Sequence, residues 1–110
     1  MRGFYSAVVE RNTAWNGEVA TEPYEAGWAS EAIAFVRVLE MEGPSGQLRL
    51  SAQISPDGMQ WCDEGAVIDP IDAVGVTFTR LRHFGNWLRL AGETDPDTTF
   101  RVLVSWALKE

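Results

Sequence analysis

The residues best suited to covalent chemistry are a single cysteine, Cys62, and a single histidine, His83. A thiolate nucleophile needs a base within hydrogen-bond reach and a third group to orient that base. No local spacing pairs these two. Cys62 also stands in the run Trp61-Cys62-Asp63-Glu64, whose carboxylates disfavour the thiolate. Cys62 therefore reads as a packed or rim cysteine and His83 as a residue flanking a turn. One cysteine and one histidine cannot close a zinc site. Carboxylates are plentiful at Asp63, Glu64, Asp69, Asp72, Glu93, Asp95 and Asp97. Glycoside hydrolysis needs two of them facing each other across a cleft. A sandwich of 110 residues has little room for both a cleft and a core. Glu93, Asp95 and Asp97 form the one candidate Ca²⁺ loop, because hard cations collect carboxylate and carbonyl oxygens. That segment, Gly92–Thr98, lacks the EF-hand pattern and reads first as a solvated acidic hairpin loop. Gly43-Pro44-Ser45-Gly46 lacks the Lys-Ser/Thr that a phosphate-binding loop requires. Together these readings predict a protein that is not an enzyme, with no cofactor and no dedicated metal.

What must position these side chains is a β scaffold. Turn residues recur at short intervals: Asn16-Gly17, Glu42–Gly46, Ser55–Gly58, Asp69-Pro70, Gly85-Asn86 and Gly92–Asp97. Between them run segments that alternate apolar and polar residues, the signature of half-buried strands. In Gln47–Ser55, Leu48, Leu50, Ala52 and Ile54 point one way, and Gln47, Arg49, Ser51 and Gln53 the other. Thr99–Lys109 repeats the pattern, with Phe100, Val102, Val104, Trp106 and Leu108 on one side. Phe4–Glu10 makes the first strand. Glu18–Trp28, broken by Pro23 and Gly27, is an extended loop or edge strand.

Ala32–Glu42 is apolar on both faces: Ala34, Val36 and Val38 on one, Ile33, Phe35, Leu39 and Met41 on the other. Such a strand should be covered on both sides, and in a small domain the second cover can be another subunit. Val74–Phe84 sets Val76 and Phe78 against Thr77 and Thr79, then turns basic at Arg80, Arg82 and His83. The fold expected is all-β: a jelly-roll-like antiparallel β-sandwich of about eight strands with no substantial helix, occupying residues 1–110 as one domain.

Two motifs carry a resemblance. Ser55-Pro56-Asp57-Gly58-Met59-Gln60-Trp61 is similar to a shortened Asp-box hairpin of sialidases and related β-propellers, in which Ser and Asp bond the turn and Trp packs beneath it. A single copy implies one structural hairpin rather than a propeller. Ser55–Gly65, followed by His83-Phe84-Gly85-Asn86-Trp87-Leu88-Arg89-Leu90 and an alternating last strand, resembles small jelly-roll proteins over about residues 47–108. These include discoidin-like carbohydrate-binding modules and the accessory or decoration proteins of phage particles. In the second motif Gly85-Asn86 reads as a tight turn, and Trp87 and Arg89 should share a face where the guanidinium can stack on the indole.

The charge is −7, from nine Lys+Arg against sixteen Asp+Glu. Phosphate binding needs clustered cations, so nucleic acid is not the expected partner, although Arg37, Arg49, Arg80, Arg82 and Arg89 could share one face. One cysteine permits no internal disulfide. MRGFYSAVVE shows no apolar signal region, and the longest apolar stretch, Ala32–Val36, is too short to span a bilayer, so no membrane partner is expected. Cytoplasmic or particle-associated placement is expected.

Two functions remain. The first is a self-associating assembly subunit, a homo-oligomer or part of a larger protein assembly. Its anchors would be Trp15, Tyr24, Trp28, Trp87 and Arg89, since aromatics and arginine dominate interface energetics. The alternative is a carbohydrate-binding module that uses exposed Trp and Tyr, with Trp87, Arg89 and Gln53 as its site.

Overall fold

A computed structural model describes residues 3–82 and 84–110, so His83 and any pairing of it with Cys62 lie outside the described residues. Nine strands form among the described residues: β1 (Phe4–Trp15), β2 (Glu18–Ala20), β3 (Tyr24–Glu25), β4 (Glu31–Glu42), β5 (Leu48–Ser55), β6 (Cys62–Ile71), β7 (Gly75–Arg82), β8 (Trp87–Thr94) and β9 (Thr99–Lys109). No helix forms among the described residues, and so none is long and apolar enough to cross a membrane. One sheet, sheet A, has the order β1-β9-β4-β7, and the other, sheet B, has β2-β8-β5-β6, with β3 also on β8. All pairings are antiparallel.

This is the strand order of a jelly roll: apart from β2–β3 and the β5–β6 hairpin, each connection crosses from one facing sheet to the other, and β1 and β9 lie side by side. The ninth strand arises because one edge strand is interrupted. Glu18–Ala20 pairs with Ala91–Glu93, Thr21 exchanges hydrogen bonds with Leu90, and Tyr24–Glu25 resumes opposite Trp87–Leu88. Pro23, which cannot donate to a ladder, sits in the break.

Between the sheets lies a core of alternating inward residues. Leu48, Leu50 and Ala52 of β5, Leu88 and Leu90 of β8, and the five inward residues of β9, Phe100, Val102, Val104, Trp106 and Leu108, are all buried, as the sequence pattern predicts. Ala32, Ala34, Val36 and Val38 of β4 join them. A register irregularity between Val38 and Glu40 then reverses the parity, so Met41 packs against the core, not beside Ile33 and Phe35 as expected. The few buried polar side chains are bonded and hold the loops at the strand ends. Thr98 donates to the Pro44 carbonyl at 2.6 Å, and Thr94 Oγ1 accepts from the Gly17 N–H at 2.8 Å.

Three expected turns move. Asp69-Pro70 lies inside β6, an edge strand that tolerates a missing N–H. Gly85-Asn86 is part of a crossover from sheet A to sheet B, not a hairpin. Gly92 is mid-strand in β8, and the turn begins only after Thr94.

Candidate functional site

The sandwich offers two outer faces, and they differ in chemistry. On the outer face of sheet A the register sets side chains in rows. Arg82, Glu31, Lys109 and Phe4 form the first row, and Arg80, Ile33, Ala107 and Ser6 the second. Phe78, Phe35, Ser105 and Val8 form the third, and Val76, Arg37 and Leu103 continue it. β7 thus turns Thr77 and Thr79 inward beside buried Leu81, and Val76 and Phe78 outward, against the usual burial of such residues.

Val76 is 65% exposed, Phe78 46%, Val8 44% and Phe35 36%. Phe35 and Phe78 pack ring to ring at 6.1 Å, and the Arg80 guanidinium lies 4.9 Å over the Phe78 ring. Beside them Ile33 and Ala107 floor a small concavity of about 210 Å³, rimmed by Arg80, Arg82, Lys109 and Glu31. Arg82 reaches Glu31 at 3.7 Å, whereas no carboxylate lies within ion-pair distance of Arg80, Arg37 or Lys109 among the described residues.

The outer face of sheet B is a broad open groove of about 910 Å³. Ala20, Val67 and Ala91 supply apolar lining, and Glu18, Asp69 and Glu93 supply negative charge. Its two arginines are engaged. Arg49 bonds Asp95 at 2.8 Å and approaches Glu93 at 3.8 Å. Arg89 donates to Gln53 at 2.7 Å, and Gln53 donates to Asp63 at 3.1 Å. The Arg89 guanidinium lies 4.3 Å over Trp61, not over Trp87. The arginines therefore divide: Arg37, Arg80 and Arg82 on sheet A, Arg49 and Arg89 on sheet B. Each group can be placed only once the register is known.

The Ser55–Trp61 hairpin behaves as its chemistry predicts. Ser55 Oγ accepts from the Asp57 and Gly58 N–H groups at 3.2 and 2.8 Å, and Asp57 Oδ1 accepts from Met59 and Gln60, both at 2.9 Å. The Gln60 and Met59 donors, with Ser55, hold the Asp57 carboxyl below its usual range. The indole against this turn is Trp87 of β8: a Cβ on Gly58 would meet its ring at 3.2 Å. One face of Trp87 is thus covered by the hairpin.

The other expected anchors fare differently. Trp15 is 5% exposed and belongs to the core. β1 runs past its expected end at Glu10, through two register irregularities, and sets Trp15 opposite Phe100. Tyr24 is half-buried against the core. Trp28 is 42% exposed and meets Tyr5 edge-on at 4.9 Å. Phe35, Phe78, Val76 and Val8, which sequence reasoning did not nominate as anchors, are exposed as well. The signal that points to them is the double-sided apolar pattern of Ala32–Glu42.

The Glu93, Asp95 and Asp97 loop is not gathered as a cation cage. Asp95 is spent on Arg49 and on the Gln47 N–H at 2.8 Å, and no group of three or more His, Cys, Asp or Glu side chains converges among the described residues. Arg49, then the Gln47 N–H, hold the Asp95 carboxyl below its usual range. A carboxyl with a depressed folded pKa contributes stability above its unfolded value of about 3.9, and loses it as pH falls through the lower folded value. Asp95→Asn should therefore lower the urea midpoint at neutral pH. The gap to the unsubstituted protein should close as the acid limb is reached. A gap that stays constant from pH 7 down to the acid limb would show that the pair contributes nothing through ionisation.

The fold class is a jelly-roll β-sandwich with one apolar, cationic face and one grooved, acidic face. No protein-family model and no curated protein matches the chain. Solved structures do share its fold. The SPBc2 prophage-derived protein YomS superposes with a TM-score of 0.61 at 9% identity, over 100% of this chain and 96% of that one. The PBSX exported protein XepA gives 0.68 at 12%, over 94% of this chain and 36% of that one. A chain of the infectious bursal disease virus Gx strain gives 0.57 at 11%, over 98% and 32%. This chain thus spans about a third of the latter two. At these identities the likeness concerns the fold. It agrees, as to the fold, with the resemblance to small jelly-roll proteins read from the sequence.

Proposed function

We propose that the protein is a non-enzymatic assembly subunit, a self-associating jelly-roll building block of a virion or similar particle, of the decoration or accessory kind. The observation that carries this reading is the outer face of sheet A. Exposed Val76, Phe78 and Phe35 lie together on the adjoining strands β7 and β4, with exposed Val8 of β1 beyond Ser105, in a chain otherwise rich in surface charge. Contiguous apolar surface of this kind on a soluble domain marks a binding interface. The prophage and virus origin of the structural neighbours supports a particle-associated role. Light scattering at micromolar concentration tests the reading. An oligomer whose mass falls to that of one chain in Phe78→Glu is expected. A monomer at every concentration, correctly folded by near-ultraviolet circular dichroism, would remove it.

The carbohydrate-binding alternative has one observation in its favour. The sheet B groove presents Gln53, Arg89 and Asp63 as a connected polar cluster beside the Trp61 ring. Against it, the hairpin covers one face of Trp87 and Arg89 covers one face of Trp61. Binding on a glycan array that disappears in Arg89→Ala, with the oligomer intact, is the result this alternative requires.

A further inference from the structure

We propose that self-association runs head to tail: the outer face of sheet A on one copy seats in the groove on the outer face of sheet B on the next. This pairing rests on the assembly reading above and assigns both of its surfaces.

Charge is the first argument. The sheet A face presents Arg37, Arg80, Arg82 and Lys109 against the single carboxylate Glu31 in its first rows, although the whole chain is at −7. The groove face presents Glu18, Asp63, Asp69, Glu93 and Asp95 against two arginines, each already bonded within its own chain. Two copies meeting through sheet A alone would bring Arg37 and Arg80 of both into one desolvated contact with only Glu31, already reached by Arg82, to answer them. Like charges placed so disfavour association, whereas opposed fields favour and orient it. Nearly all the acid needed to complement this face is on the opposite side of the same molecule.

Shape and polarity agree. Phe78 and Phe35 rise from the cationic face as a coupled pair, and the groove on sheet B is lined with exposed Val67 and with Ala20 and Ala91. An aromatic anchor entering an apolar trough with ion pairs at its rim is the usual anatomy of a specific interface. The two surfaces lie on opposite faces of the sandwich, so the contact is heterologous. Such contacts build rings where the rotation closes and filaments where it does not.

Mass measurement on two variants and their mixture tests this. Phe78→Glu damages only the sheet A face, and the double variant Glu18→Lys with Asp69→Lys reverses only the groove face; all three positions are off the core. Each variant alone should run at monomer mass. An equimolar mixture should give a complex of two chains and nothing larger, because one intact face of each kind remains. If the groove variant associates as the unsubstituted protein does, the pairing is wrong although self-association stands. The pairing also fails if the mixture stays monomeric. If the unsubstituted protein is itself a monomer, the assembly reading falls and takes the pairing with it.

Discussion

Trp106→Ala should cost about 3–5 kcal/mol, the range for deleting a buried large aromatic. That is a large share of the roughly 5–15 kcal/mol that holds a domain of this kind folded. Trp106 is fully buried on β9, and its cross-strand partners are Ala7 on β1 and Ala34 on β4. The indole fills the space that two small residues leave, so neither neighbour has a side chain long enough to collapse into the void. Its Nε1 has no acceptor among the described residues, and a buried donor left unmade costs about 1–3 kcal/mol. Trp106→Phe should therefore lose far less than alanine, under about 1.5 kcal/mol, since lost volume is offset by removal of that donor. Urea unfolding of both variants at neutral pH measures the difference. A phenylalanine loss well above about 1.5 kcal/mol would mean that the indole N–H is satisfied in solution.

Gly92→Ala should be the most damaging exchange of its size, at about 1–3 kcal/mol or somewhat more, as for overpacking against an unyielding neighbour. Gly92 sits in the middle of β8, opposite Leu50 on β5 and Val19 on β2. A Cβ there would press on the Arg49 carbonyl, with Arg49 C at 2.8 Å and Leu50 Cα at 3.1 Å. These are backbone atoms of the adjacent strand, with no rotamer to swing aside. The sheet must open at its centre, beneath the groove and beside Arg49. Thermal unfolding should show the loss as a drop of several degrees, at roughly 4–8 °C per kcal/mol for a small domain. A midpoint unchanged from the parent would show that β5 and β8 separate here without cost.

Much of the fold is legible before any coordinates exist, and the reasons are local. β5 alternates strictly, and β9 keeps a large apolar residue at every second position from Phe100 to Leu108, so the pattern marks their inward residues. The Ser55–Gly58 turn is legible because each residue supplies a bond or an angle the turn needs. What stays hidden depends on partners remote in sequence. Gly92 resembles the acidic turn after it, yet it is glycine because a neighbouring strand passes close. The apolar side of β7 points outward, and no period can say which side of a strand meets the core. Of the candidate site, Arg89 and Gln53 were foreseen as neighbours. Trp61 under Arg89, Trp87 beneath the hairpin and Trp15 in the core follow from register, which composition does not encode. The exposed apolar residues of sheet A were legible only as surplus, in the two-sided greasiness of Ala32–Glu42.

The place of β9 carries a consequence for synthesis. It lies between β1 and β4 and supplies the centre of sheet A, yet it is the final strand to be made. Until Thr99–Lys109 clears the ribosome, β1 has no partner and β4 can pair only with β7. Sheet B has no such dependence, because β8 reaches β5 and the β2–β3 edge earlier. The nascent chain should therefore ripen one layer before the other, with Phe100, Val102, Val104 and Trp106 closing the core last. Ordering that waits on such distant pairing is slow and leaves adhesive edges open meanwhile.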